Sequence, residues 1–125
     1  RPIVMLAGGI GVTPFRSLIE ELKYQPQREA YLFYGNPYEE DIVHREEVER
    51  APHVKVVHVL SGLQEHEHME VGFITMGLLE KHLDEDFSQY EFLICGPPVM
   101  IKNLEAGLRT ETVPENQIHH ELFSY

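Results

Sequence analysis

An apolar run, Ile3 to Ala7, stops at three glycines within four residues, Gly8, Gly9 and Gly11. A helical pattern follows, with Phe15, Leu18, Ile19 and Leu22 recurring at offsets of three and four. This order predicts a strand, a tight turn and a helix. Glycine serves such a junction in two ways: it adopts backbone angles that a Cβ forbids, and it lets a ligand approach the main chain closely. The first amides of the helix have no partner inside it and lie at the positive end of its dipole, so a phosphate is the natural guest. The spacing Gly9-x-Gly11-x-x-Pro14 matches neither common phosphate loop. A P-loop needs a Lys and then a Ser or Thr after its last glycine, and the usual dinucleotide fingerprint has a third small residue where Pro14 stands. Proline is tolerated there because its missing N–H would be unpaired in the first helical turn anyway. An ordinary glycine-rich turn with no ligand could use the same residues, so the loop alone leaves both readings open.

With 125 residues there is room for a single domain and one core. A net charge of -11, with no cluster of Lys and Arg to offset it, disfavours nucleic acid and anionic membrane surfaces as partners. No apolar run approaches the roughly 20 residues that span a bilayer, and no signal peptide is expected. The single cysteine, Cys95, excludes an internal disulfide and a cysteine-ligated iron–sulfur cluster within this chain. A reducing, cytoplasmic setting is therefore expected. Arg1-Pro2 leads straight into a strand that belongs in the middle of a sheet, so the chain is expected to be a piece of something longer.

After the first helix and a polar turn at residues 24–28, Glu29 to Gly35 (EAYLFYG) has the composition of a strand covered on both faces. Gly35-Asn36-Pro37 ends it. Tyr38 to Arg50 reads as one charged surface helix with a thin apolar stripe, closed by Pro52. Val54 to Leu60 is a third strand, and Ser61 to Gly72 is irregular. Its His66 and His68 alternate with Glu65 and Glu67 and could hold a divalent metal, but with no third ligand anchored nearby a flexible polar loop is the expected reading. Thr75 is placed to cap a helix through Met76, Leu79 and Leu83. Gln89 to Gly96 is a fourth strand, Pro97-Pro98 opens a last helix carrying Met100, Ile101, Leu104 and Leu108, and Gln117 to Phe123 is a final short strand.

Five strand patterns alternating with four helical ones predict a doubly wound α/β fold, a five-stranded parallel sheet with helices on both faces. Ligands in such sheets sit outside the carboxyl ends of the strands, where the glycine turn, Ser61 and Cys95-Gly96 all fall.

Three motifs in order carry a family resemblance: Gly8-Gly9-Ile10-Gly11-Val12-Thr13-Pro14, then Cys95-Gly96-Pro97-Pro98-x-Met100, then Glu121-x-Phe123. Over its whole length the chain resembles the pyridine-nucleotide domain of the ferredoxin–NADP reductase superfamily, which includes flavohemoglobin, cytochrome b5 reductase and the reductase components of oxygenases. The resemblance implies a strand order 3-2-1-4-5 and hydride transfer from NADH or NADPH to a flavin, FAD or FMN. In the family a separate N-terminal β-barrel holds that flavin, and the barrel's arginine-aromatic-serine motif is not in this sequence. Electrons would then pass to a further acceptor such as an iron–sulfur or heme centre. By resemblance, Gly8 to Pro14 would hold the pyrophosphate, with Tyr34, Gly35, Ser61, Gly96, Pro97 and Met100 around the rest of the nucleotide. Cys95 would stand beside nicotinamide C4, Glu121 would orient that end, and Phe123 would cover the flavin. The cofactors supply the hard chemistry, and the protein would hold donor and acceptor near contact.

NADPH-preferring members commonly place an arginine after the serine that follows the third strand. Here Gly62 stands there, with Glu65 and Glu67 beyond, so the resemblance implies a preference for NADH. A redox-inactive nucleotide-binding module, regulatory or for subunit interaction, is the alternative from another class. The presence of Cys95, Glu121 and Phe123 together favours the enzyme. A methyltransferase reading is disfavoured by Pro14 and by the Cys-Gly-Pro-Pro turn.

Overall fold

The computed structural model describes the backbone of residues 1–122 and the side chains of residues 1–120. Six strands, β1 (Ile3–Gly8), β2 (Ala30–Asn36), β3 (Lys55–Leu60), β4 (Glu70–Val71), β5 (Glu91–Gly96) and β6 (Ile118–Leu122), form one sheet ordered β4-β3-β2-β1-β5-β6. All five pairings are parallel. The helices are α1 (Thr13–Leu22), α2 (Arg45–Glu49), α3 (Met76–His82) and α4 (Pro98–Thr110).

The doubly wound parallel sheet stands as expected, but the count of five strands is corrected to six. The added strand, β4, pairs Glu70 and Val71 with Val59 and Leu60 at the edge of β3. Two residues are too few to carry an alternation of apolar and polar positions, so nothing in the stretch 61–72 marked it. The order of the other five strands is the one the resemblance implied. The charged segment 38–50 is likewise not one helix. It is a 3-10 turn, Glu39–Asp41, and the short α2, separated by His44 at φ 56. A left-handed residue cannot continue a right-handed helix.

The alternation of side chains across the central strands builds two cores. Met5, Ala7, Leu32 and Tyr34 face Phe15, Ile19 and Leu22 of α1 and Val48 of α2. Val4, Leu6, Tyr31, Phe33 and Ile94 face Leu79 of α3 and Ile101, Leu104 and Leu108 of α4. β2 is buried on both faces, as its unbroken apolar run requires for a strand with helices above and below. Thr75 caps α3 by accepting the Leu78 N–H at 3.1 Å. Among the described residues, no helix is long and apolar enough to cross a membrane.

Candidate functional site

Because every strand is parallel, all the carboxyl ends lie on one rim of the sheet. At the tip of β1, Gly8 leads into a 3-10 turn, Gly9–Val12, that runs directly into α1 with Pro14 in its first turn. Gly9 has φ +56, a left-handed conformation that side chains resist. Gly11 is needed for a different reason: a Cβ there would lie 2.2 Å from the carbonyl oxygen of Cys95 and 2.6 Å from its carbon. The turn therefore rests on the peptide that joins Cys95 to Gly96, and the tips of β1 and β5 are fused backbone to backbone.

Beside this junction, on the α3/α4 side of the sheet, lies a cavity of about 660 Å³. One wall is Gly8, Gly9 and Ile10; the opposite one is Gly35, Asn36, Pro37 and Ser61. Gly72, Phe73 and Ile74 close it on the β4 side, and Pro97, Val99, Met100, Asn103 and Leu104 on the α4 side. None of the described residues lining it carries a charge, although the chain as a whole has a net charge of -11. The thioether of Met100 fills the corner between the strand tips, where a Cβ on Gly8 or Gly96 would come within 2.5 or 2.8 Å of its sulfur. At Gly9, by contrast, a Cβ would meet nothing within 4 Å, so the cavity has open room against bare backbone there. Ile10, Phe73 and Val99, exposed at 52%, 76% and 70%, stand around the mouth. An uncharged space with an aromatic ring and β-branched side chains at its entrance suits a flat, uncharged ring system with a few hydrogen-bonding edges.

The structure sorts the sequence-predicted residues by position. Gly8, Gly9, Ile10, Gly35, Ser61, Pro97 and Met100 line the cavity. Gly11, Val12, Thr13 and Pro14 form the adjoining turn and helix start, and Gly96 lies behind Met100. Cys95 sits on the same rim, but its side chain is buried in the α1/α2 core with Ala7 and Val12, on the opposite face from the cavity. Tyr34 is fully buried on that face too. Its hydroxyl donates to the Val43 carbonyl at 3.0 Å and accepts the Val43 N–H at 3.1 Å, and burial pushes its ionisation above the ordinary tyrosine value. The backbone of Glu121 pairs in register with Cys95. The Glu121 side chain and all of Phe123 lie outside the described residues. Sequence reasoning missed the other lining residues: Asn36, Pro37, Phe73 and Ile74 had only adjacency to strand ends as a signal, while Val99 and Asn103 lie one turn apart on α4 beside Met100 and Leu104, a helical spacing that could have found them.

A chain of charged groups braces the β3 side of the rim. Buried His58 approaches Glu49 at 2.8 Å, Arg45 donates to Glu49 at 2.8 Å and to Glu39 at 3.0 Å, and Glu39 meets His66 at 2.6 Å. His66 Nδ1 accepts the N–H groups of His68 and Met69, both at 3.0 Å, so its Nε2 carries the proton given to Glu39. Both ring nitrogens are engaged, and among the described residues no cluster of three metal-ligating side chains occurs. The loop 61–69 is thus tied down by an ion-paired network. Glu39 is held below the usual carboxylate range by its hydrogen bonds from His66 and Arg45.

Comparison with known proteins agrees with this geometry. The profile of the oxidoreductase NAD-binding domain family matches residues 5–106. The chain is 34% identical over 124 residues to NADH-cytochrome b5 reductase 1 of Dictyostelium discoideum, covering 94% of this chain and 43% of that protein. It is 31% identical over 128 residues to the flavohemoprotein of Xylella fastidiosa strain 9a5c, covering 98% of this chain and 32% of that one. Among solved structures, the flavohemoglobin of Malassezia yamatoensis with bound FAD and heme superposes with a TM-score of 0.81 at 26% identity, over 98% of this chain and 32% of that one. The chain thus spans less than half the length of these relatives. On the matched profile, the fold and the rim it builds, the chain belongs to the oxidoreductase NAD-binding domain family.

Proposed function

We propose that this chain is the nucleotide-binding half of a flavin-dependent oxidoreductase, which binds NADH in preference to NADPH and presents its nicotinamide to FAD or FMN. A β-barrel domain outside these 125 residues would carry that flavin, and a heme or iron–sulfur centre would take the electrons onward. The observation that carries this reading is that the uncharged cavity and Cys95 lie on opposite faces of the rim with the glycine turn between them. A dinucleotide laid across the strand tips would put its adenosine in the cavity, its pyrophosphate over Gly9 to Thr13, and its nicotinamide on the Cys95 side. The residues present fit that group. Bare backbone at Gly9 admits close approach, and the positive end of α1 lies beside it, although the turn already uses the Thr13 N–H, given to the Ile10 carbonyl, and Pro14 has none to offer.

When bound, the nicotinamide supplies the hydride; the chain's own residues hold and orient it. The nearest such residue would be Cys95, whose small polarisable sulfur lets two rings stack closely. The preference for NADH follows from the lining: with no cation among the described residues there, a 2′-phosphate of nearly two negative charges would be desolvated without a partner. The printed name of the b5 reductase relative, an NADH enzyme, supports the same choice.

Equilibrium titration of the chain with NAD and NADP at matched ionic strength tests this. NAD should bind about tenfold more tightly or better, equivalent to roughly 1.4 kcal/mol. Tighter binding of NADP would overturn the assignment. The chain alone should neither oxidise NADH nor purify with stoichiometric yellow flavin.

A further inference from the structure

Asn36 is the last residue of β2. Its backbone is fixed from the β3 side, where it pairs with Leu60 and its carbonyl accepts the Ser61 N–H at 3.0 Å. The residue is only 4% exposed, so its amide has been taken out of water. A polar group in that position ordinarily has a partner inside the protein, because a buried donor without an acceptor keeps its desolvation cost and gains nothing in return. Asn36 Nδ2 has no such partner. Among the described residues, two buried side-chain atoms lack a hydrogen bond, this one and His58 Nδ1. They differ in place: His58 takes no part in the cavity, whereas Asn36 lines it, on the wall opposite Gly8, Gly9 and Ile10.

The protein around the amide offers it nothing else. Strand alternation directs Asn36 to the same side as Tyr34, and its side chain adjoins the Tyr34 hydroxyl. That hydroxyl is already engaged by both groups of the Val43 peptide, at 3.0 and 3.1 Å. Asn36 therefore stands on the crest of the rim, with an occupied hydroxyl on one side and the open cavity on the other. A half-turn about the terminal torsion exchanges the two ends of an amide with little change of shape, so a ligand's acceptor can draw Nδ2 from the buried side toward the cavity. The chemistry of the donor selects that acceptor. A neutral amide in a wall without charges suits an uncharged sugar oxygen or ring nitrogen, whereas a phosphate belongs with the turn at the start of α1.

We propose that Asn36 is a nucleoside-binding residue, whose side-chain N–H2 lacks a partner in the free chain and is satisfied by an uncharged acceptor of the molecule that fills the cavity. The proposal rests on the nucleotide reading above and deepens it: the adenosine end is recognised through one buried donor held ready for it. The free chain carries the cost of that donor, and the ligand removes it.

The test compares the unchanged chain with Asn36→Leu and Asn36→Ala, by titration with ADP-ribose and with adenosine, which lacks any phosphate, and by urea unfolding without ligand. Leucine keeps the branched shape and removes the donor. Both variants should bind ADP-ribose about five- to tenfold more weakly, with a similar factor for adenosine. Unliganded Asn36→Leu should have a urea midpoint equal to or above that of the unchanged chain, because the substitution removes a desolvated donor and no hydrogen bond. An asparagine with a merely structural role gives the opposite pattern, a lower midpoint with affinity retained by the folded protein. Binding of ADP-ribose by Asn36→Leu within about twofold of the unchanged chain overturns the proposal. So does a penalty present with ADP-ribose and absent with adenosine, and so does unfolding of both variants, since an amide without a partner in the protein has no native bond to lose. In each of those cases the unchanged chain still binds ADP-ribose and the nucleotide reading stands. An unchanged chain that does not bind ADP-ribose removes that reading, and this proposal with it.

Discussion

The two halves of the rim are built by different physics. Where β1 meets β5, main chain touches main chain: Gly11 rests on the Cys95–Gly96 peptide, and Met100 fills the gap between Gly8 and Gly96. Where β2 meets β3, two backbone bonds continue the ladder, from Ser61 to Asn36 at 3.0 Å and from Gly62 to Pro37 at 2.8 Å, and side chains hold the segments beyond them. Tyr34 grips the Val43 peptide, Tyr38 covers Gly62, and the relay from His58 through Glu49, Arg45 and Glu39 to His66 fixes the loop. Backbone contacts admit no partial version, since one added carbon cannot be accommodated. Side-chain contacts degrade one at a time. The first half should therefore fail abruptly and the second by increments.

The sharpest way to break this contrast is Gly11→Val. Its Cβ falls 2.2 Å from a carbonyl oxygen in a paired strand, where neither partner can yield. Overpacking of this kind should cost about 3 kcal/mol or more by urea unfolding, and nucleotide affinity should fall with it. A variant within about 0.5 kcal/mol of the parent would show that the turn slides on β5 and that the two tips are not fused. On the other half, Tyr34→Phe removes one hydroxyl that satisfies both groups of the Val43 peptide. The expected loss is about 1–2 kcal/mol, with cavity binding little changed, because Tyr34 faces away from the cavity. Smaller again is His66→Ala. It unties the loop 61–69 from Glu39, and should weaken nucleotide binding by about threefold and raise amide exchange at His68 and Met69, whose N–H groups lose their acceptor. Unchanged exchange there would show that the loop is held by something other than His66.

The same contrast explains what the sequence disclosed. The β1 tip was legible because its requirements are local: the glycines, the proline and the strand and helix periods lie within the contiguous stretch Ile3 to Leu22, each with a conformational reason. Cys95-Gly96-Pro97-Pro98 was legible for the same cause. The β3 side was not. His66 finds Glu39 across 27 positions of sequence, and the space at Gly62 is set by the Tyr38 ring and the Pro37 carbonyl on another strand's extension. A pair of that kind has no period and no propensity, so β4 and the break at His44 went unread with it. The order of the main strands, by contrast, came from the resemblance and not from the residues, since hydrophobic pattern alone does not say which strand neighbours which.

The mildest prediction concerns acid. His58 is buried in β3 with Tyr34 tilted against it at 5.8 Å, and Glu49, Arg45 and Glu39 are the charged groups facing it. Burial lowers its ionisation below the ordinary 6.5, and the hydrogen bond to Glu49 offsets this only in part. The geometry agrees: Nε2–H is given to Glu49, while Nδ1 is buried with no partner, so a proton added there would be an unsatisfied donor. In the unfolded chain the same imidazole protonates near 6.5. As the pH falls through that value the unfolded state takes up a proton that the folded state refuses, so stability declines, and the decline levels off once the folded imidazole also charges. Glu39 and Glu49, both held below the ordinary 4.5, add a separate loss at lower pH as their folded carboxylates protonate. His58→Gln should flatten the upper step and leave the lower one. Comparing urea midpoints of parent and variant at several pH values between 7.5 and 5 isolates the imidazole from the other histidines, which both proteins share. Parallel curves would place His58 outside the acid response, and the side-chain half of the rim would then owe its pH sensitivity to its carboxylates alone.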